Sequence, residues 1–366
     1  MNEDKFLSKE QTFIMFFWIT FGNIIYNYTW VAKFADRTFV VLFSFSFLVM
    51  ALLILWIFKL ISNNKGLTVF EIIKNSFGTF IYKIFLCLFI IISIVPAVVM
   101  LNIFASSINV FLLKNTPSWA IMLFSIIVSF IFAKSGIVSM AKLFQILAVI
   151  GFLNYVITFS FGFSDFKVDN IWPIFTVSVP DLSKGLLFST GICSELVLPI
   201  LIITESISKP TLYKKQAVSG LMLGASFQII FVILLIGIIN IELLKNMSFA
   251  GISVSRLIEI GHFIRGLEIL VLASYQLVCL VNIAISLHCI KSAFLKVYNI
   301  KQPTIYLTIG VILIFGLSAF LNSYNLALFI SVYYGLFVLL PFILIILLLS
   351  TIGLKKIKIK ERRNNQ

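Results

Sequence analysis

Glu195 is a carboxylate in the middle of an apolar run of membrane length, KGLLFSTGICSELVLPILIITE from Lys184 to Glu205. An ionised side chain at bilayer depth costs about 2.5–3.5 kcal/mol on insertion scales, so such a group turns toward a cavity or a partner. Gly191 and Pro199 flank the acid, and both residue types weaken a helix where the charge sits. An acid at a broken helix can bind the ammonium of a ligand, carry a proton, or tie two half-helices together as a hydrogen-bonded carboxyl. The residues alone leave all three open.

Further polar side chains recur at helical spacing. Phe21-Gly22-Asn23 interrupts the first apolar run, and Asn23, Tyr26 and Asn27 share a face. Glu268, Tyr275, Asn282 and Ser286 recur at i, i+7, i+14 and i+18, within about 40° on a helical wheel. Asn102, Ser106 and Asn109 form a third such face. Taken singly, polar faces of this kind serve hydrogen bonding between helices. Converging on one cavity with Glu195 and Ser194, they would suit a small zwitterion. Unwinding at Gly22 and Gly191 would then free backbone N–H groups for an anionic group.

Other chemistries find little support. Cys87, Cys193, Cys279 and Cys289 lie in apolar segments without C-x-x-C spacing and read as small core residues, with no metal site or disulfide expected. His262 and His288 fall at helix ends without companions that would hold a metal. A membrane-bound acyltransferase would want an embedded His with a positioned partner, and His288 is the only near candidate. Arg265 and Glu268 are spaced for a local i,i+3 pair. No enzyme activity or cofactor is expected.

The elements that position these residues follow from composition. Hydrophobic residues make up 61% of the 366-residue chain and charged residues 11%, against about 25% charged in soluble domains. A window of about 20 residues finds ten candidate spans, 10–32, 38–61, 82–112, 117–133, 139–161, 184–205, 215–241, 264–290, 303–321 and 325–350. The expected class is an all-α polytopic membrane protein. The third span exceeds the bilayer thickness and is expected to tilt or to kink at Pro96. Ser8 and Gln11 are spaced for a capping box at the first helix. The mixed charges of Glu3, Asp4, Lys5 and Lys9, with no small-residue cleavage site beyond them, argue against a signal peptide.

Ten spans put both termini on one side. Lys59, Lys65, Lys74, Lys83, Lys134, Lys142, Lys209, Lys214, Lys215, Lys291, Lys296 and Lys301 share that side with the basic tail KKIKIKERR. Lys33, Arg37, Lys114, Lys167, Lys184, Lys245, Arg256 and Arg265 face the other. The positive-inside rule places both termini in the cytoplasm. The net charge of +14 is thereby a topology signal rather than a sign of nucleic-acid binding. The tail, 351–366, is expected to be a basic cytoplasmic segment that lies on anionic headgroups or simply anchors the last span. Two connections exceed what a loop needs. Lys65–Ser76 reads as a short surface helix, and Asn246–His262 as a helix lying on the opposite face.

The single transmembrane domain, 1–350, divides into repeats of about 8–162 and 184–350, five spans each. Interruptions in the first span of both halves, at Gly22 and Gly191, are the trace expected of an inverted repeat with broken helices 1 and 6.

Ser8-x-x-Gln11, the first-span glycine, Asn170-x-x-Pro173, Gly191-x-x-x-Glu195 and the Arg265/Glu268 entry to the eighth span occur in an order that resembles the GerAB-type spore germinant receptor B subunits. The likeness covers essentially the whole chain. It implies the LeuT-like inverted fold of the amino acid–polyamine–organocation superfamily, with a site between broken helices 1 and 6. It further implies a germinant sensor of the inner spore membrane that binds an amino acid. Such a sensor works with an A subunit and a lipoprotein C subunit and releases ions. By motif match the contacts would be Gly22, Asn23, Gly191, Ser194 and Glu195. Tyr26, Asn27, Tyr275 and Asn282 are candidate ligand contacts from their faces. The family's proline after the first interruption is replaced here by Ile24-Ile25-Tyr26-Asn27-Tyr28. The competing reading is a proton-coupled amino-acid symporter on the same fold, with Glu195 carrying the proton. A purely structural membrane subunit is a further alternative.

Overall fold

Ser8 starts the first helix through the expected capping box: its hydroxyl accepts from the Gln11 N–H at 3.3 Å, and its own N–H donates to Gln11 Oε1 at 2.9 Å. The structure is a computed structural model describing residues 6–22, 26–64, 66–207, 209–257, 268–298 and 303–364, and these residues are helical, without a strand. Helix α1 (Lys9–Phe21) stops at Gly22, and α2 (Tyr28–Ala35) resumes after Asn27, so the first span is broken where expected. Then come α3 (Phe39–Ser62), α4 (Val69–Phe77), α5 (Thr79–Phe111), α6 (Ser118–Lys134) and α7 (Ile137–Gly162). The second half runs α8 (Val179–Ser194), α9 (Val197–Ile203), α10 (Pro210–Ile239), α11 (Ile241–Asn246), α12 (Ala250–Ser255), α13 (Glu268–Tyr298), α14 (Pro303–Leu321), α15 (Tyr324–Tyr334) and α16 (Leu340–Asn364).

Among the described residues, eight helical stretches are long and apolar enough to cross a membrane. Two of the ten expected spans fall short of that length: the first is split between α1 and α2, and α6 has only 17 residues, against the roughly 20 that a perpendicular crossing needs.

Small residues and redirected carbonyls explain how the helices pack. Gly220 and Gly224 let α10 approach the α1 backbone, where a Cβ on Gly220 would stand 2.3 Å from the Phe13 carbonyl oxygen. Helix α13 packs along α5, and α3 lies between α8 and α10. Pro96 lies inside α5 and leaves the Ile92 carbonyl without its helical donor. The Tyr334 hydroxyl supplies one at 2.6 Å, tying α15 to the proline turn. Lys291, largely buried, donates to the Ala133 carbonyl at 2.9 Å and fastens α13 to the end of α6.

The expected surface helix near Lys65–Ser76 is α4, capped by Thr68 and Glu71. Its Val69, Phe70, Ile72 and Ile73 are fully buried beneath α5 and α16. On the same face the Leu7 N–H donates to the Ser206 carbonyl at 2.7 Å, and Lys356 lies 4.4 Å from the Phe77 ring. The basic tail continues α16 to Asn364.

The opposite face departs from expectation. Instead of one helix lying on the surface over 246–262, the chain turns at Phe249, whose φ of +52° is left-handed, and α12 enters the bundle with Ala250, Ile252 and Val254 buried. The Tyr28 hydroxyl accepts from the Gly251 N–H at 3.0 Å. Apolar spacing alone cannot tell a bilayer-facing stripe from one that inserts between helices. Residues 258–262, with His262, and Arg265 lie outside the described residues, and Glu268 meets Arg256 at 3.5 Å.

Candidate functional site

Pro199 has no N–H to give the Glu195 carbonyl, and the sixth span divides there into α8 and α9. The break is tight. Glu195 (φ −56°, ψ −26°) and Leu196 (φ −64°, ψ −36°) keep right-handed helical angles, and their N–H groups bond three residues back, to Ile192 at 3.3 Å and Cys193 at 3.1 Å. The expected unwound backbone at Gly191 is therefore absent. Gly191 serves close approach instead: a Cβ there would stand 2.8 Å from the Leu336 backbone. The facing segment, Gly335–Leu339, is a π-helical turn joining α15 to α16. Ser194 donates to the Gly191 carbonyl at 2.6 Å and to the Gly335 carbonyl at 3.2 Å. Gly191 and Ser194 thus hold two helices together and do not line the cavity beside Glu195.

Glu195 is 8% exposed. Its Oε1 accepts from the Ser331 hydroxyl of α15 at 2.9 Å, and the Ser331 oxygen accepts from the Asn27 amide at 3.1 Å. One side chain of α15 thereby joins the first break to the second. Tyr26, buried, lies against the same carboxyl without closing a standard hydrogen bond. Among the described residues no Lys or Arg ion-pairs with Glu195. The Asn27 carbonyl oxygen, Oδ1, is buried without a donor. An acid held by a hydroxyl donor and without a cationic partner among the described residues can take up an ammonium or a proton.

A cavity of about 40 Å³ opens on Glu195 and is lined from α13 by Asn282 and Ser286 and from α5 by Ser93, Pro96 and Met100. That volume accommodates one or two water molecules. The eighth-span face thus reaches the acid in part. Asn282 meets the first break directly, since a Cβ on Gly22 would stand 2.5 Å from its Nδ2. Tyr275, two turns away, packs instead against Phe249 with ring centres 6.2 Å apart. Of the third-span face, Asn102 donates to its own helix at Val98 and Asn109 pairs with Ser118, so neither reaches this cavity. Asn23 lies outside the described residues. Ser331, which bonds to Glu195, and Ser93 and Met100, which line the cavity, carry no signal in the sequence that marks them for this site. The nearest hint is Gly335, four residues beyond Ser331.

The Asn170-x-x-Pro173 motif has a structural task. The Asn170 amide donates to the Gly237 carbonyl at 2.7 Å, and the Lys167 N–H meets the same oxygen at 3.0 Å. Both satisfy a carbonyl near the end of α10.

The family described as spore germination protein matches residues 6–326. The chain is 24% identical over 226 residues to Spore germination protein B2 of Bacillus subtilis (strain 168), covering 60% of this chain and 59% of the relative. It is 22% identical over 204 residues to Spore germination protein YndE of the same organism, covering 55% of each. The alignments thus span somewhat over half the length of these relatives. With a family match over most of its length and, among the described residues, eight helical stretches fit to cross a bilayer, the chain is an integral membrane protein that belongs to the spore germination protein family.

Proposed function

We propose that this chain is the membrane-embedded B subunit of a spore germinant receptor. It binds a small amino acid between the α1–α2 and α8–α9 breaks and triggers germination through ion release by the assembled receptor. The observation that carries the reading is Glu195, a buried acid without a cationic partner among the described residues, reached from the first break through Ser331 and Asn27. The ligand's ammonium supplies the missing charge. Its side chain enters toward Asn282, Ser286 and Met100.

A cavity of about 40 Å³ is too small for an amino acid, so the described conformation is the closed one. Ligand binding shifts the population toward a form in which α2 and α9 move apart. The elements that move in this reading are the two short half-helices beside the breaks, α2 and α9. In this reading the spans number ten and form an inverted five-plus-five repeat of LeuT-like fold. Both termini face the cytoplasm of the spore's inner membrane, and A and C subunits complete the receptor. No chemical step on the ligand is required.

The alternative is a proton-coupled amino-acid symporter. The same unpaired acid favours it, because a carboxyl without a counter-ion can carry the coupling proton.

The deciding experiment measures binding of an amino-acid panel to the purified chain, wild type and Glu195→Gln, followed by uptake into proteoliposomes. One amino acid should bind saturably, and the variant should weaken it by about 2 kcal/mol or more, roughly 30-fold. Binding without accumulation supports the receptor. Accumulation driven by a proton gradient supports the symporter, and equal binding by both proteins removes Glu195 from the site.

A further inference from the structure

On the face opposite the termini lies a second cavity, of about 330 Å³, which shares no lining residue with the one at Glu195. Its walls come from α2, α11 and α15, with Trp30, Lys33, Lys245, Asn246, Asn325 and Leu328 among them. The volume falls within the range of small-molecule sites, about 300–1,000 Å³.

Charge decides what this vestibule would hold. Lys245 is neutralised, lying 2.8 Å from Asp36 and 2.9 Å from Glu242. Lys33 has no acid within ion-pair distance among the described residues and stands 5.4 Å from the centre of the Trp30 ring. Lys33, exposed, is therefore a lysine of this mouth with no carboxylate at ion-pair distance among the described residues, while the Asp36 and Glu242 carboxylates gather on Lys245. The Trp30 indole N–H is buried without an acceptor. Asn246 and Asn325 are exposed at the rim, and Leu328 supplies apolar wall. A lysine ammonium without a carboxylate at ion-pair distance, on the wall of a cavity of this size, suits an anionic group, and the adjoining apolar wall suits a side chain.

An aromatic cluster adjoins the vestibule: Tyr324 lines it and packs tilted against Phe249 with ring centres 4.2 Å apart, and Phe249 in turn meets Tyr275. The two sites also differ in chemistry: among the described residues, a lysine without an acid partner at the vestibule and a carboxyl without a cationic partner at Glu195.

We infer that this vestibule is a capture site for a small molecule bearing a carboxylate, with Lys33 as its charge partner and Trp30 and Leu328 as its apolar wall. An amino acid would meet Lys33 through its carboxylate before meeting Glu195 through its ammonium. The inference does not depend on Glu195 being a ligand contact.

Two probes separate the sites in the full-length purified chain. N-acetyl-L-leucine has the carboxylate but no ammonium, and L-leucinamide has the ammonium but no carboxylate. Binding is read by equilibrium dialysis and by tryptophan fluorescence, with Trp30→Phe as the control that removes the local reporter. N-acetyl-L-leucine should bind the wild type saturably and more weakly as salt rises. Lys33→Gln should weaken it at least tenfold, Lys33→Arg should retain it, and Glu195→Gln should leave it within twofold. L-leucinamide should show the reverse dependence. Absence of saturable N-acetyl-L-leucine binding to the wild type, or equal binding by a folded Lys33→Gln protein, overturns the vestibule. Failure of L-leucinamide alone overturns the Glu195 assignment and leaves the vestibule standing.

Discussion

The α1–α2 break and the α8–α9 break are built differently. Between α1 and α2 the helix stops at Gly22 and resumes six residues later at Tyr28, and the intervening Tyr26 and Asn27 turn their side chains toward Glu195 and Ser331. Between α8 and α9 the interruption is two residues that keep helical angles. The first break lends a stretch of chain to the site. The second contributes a single carboxylate at a fixed point, with no run of freed backbone N–H groups. In the proposed ligand-binding reading, recognition at the second break would therefore be by the side chain, and a carboxylate on the same ligand would have to be recognised elsewhere.

The glycines sharpen this contrast. A Cβ on Gly22 would meet side-chain atoms, Val278 Cγ1 at 2.2 Å and Asn282 Nδ2 at 2.5 Å, whereas a Cβ on Gly191 would meet the backbone of Leu336. Side chains can change rotamer, and a packed backbone can only be displaced. Gly191→Ala should lower unfolding stability by about 1–3 kcal/mol, as overpacking does. Gly22→Ala should cost less stability but shift Asn282 and weaken ligand binding. Thermal unfolding in detergent together with ligand affinity checks both. Equal stability losses would mean that the two breaks are interchangeable after all.

What the sequence reveals about these regions follows the range of the interactions. The Ser8 capping box, the break at Gly22, the proline interruption after Glu195 and the amphipathic α4 are local, and each is written in residues within a turn or two of one another. The burial of α12 is not local. It depends on Tyr28, 223 residues away, accepting from the Gly251 N–H. Glu195 stands out because an acid in an apolar run is rare, but its partner Ser331 is 136 positions distant and is one serine among many in the membrane spans. Gly191 misleads for a related reason. A glycine that frees backbone and a glycine that admits a neighbouring helix have the same sequence signature, and only the partner, Gly335 with Leu336, tells them apart.

Ser331 hydrogen-bonds to a residue of each break, so its removal tests whether they act together. Ser331→Ala deletes the hydroxyl that donates to Glu195 and accepts from Asn27. A neutral-to-charged hydrogen bond of this kind contributes about 1–2 kcal/mol, so ligand affinity should fall roughly five- to thirtyfold with the fold retained. Ser331→Thr, which keeps the hydroxyl, should recover most of it. If Ser331→Ala binds as the wild type does, the breaks are joined only by packing.

The smallest effect is expected at the far end of α2, where Asp36 reaches Lys245 of α11. The corresponding tether beyond α9 is Glu205 with Lys296, and both half-helices are thus held at their outer ends by ion pairs. For Lys245, burial alone would lower the ammonium's pKa, but the Asp36 and Glu242 carboxylates outweigh burial and hold it above the ordinary lysine value. A raised folded-state pKa contributes stability that is complete below the unfolded value, near 10.4, and is lost as pH climbs through the folded one. Lys245→Met should therefore cost about 0.5–1 kcal/mol at neutral pH, the scale of a solvent-screened pair, and the gap from wild type should close at strongly alkaline pH. Unfolding curves of both proteins at neutral pH and at about pH 11.5 test this. A gap that persists when Lys245 is neutral would show that the lysine stem, rather than its charge, holds the outer end of α2.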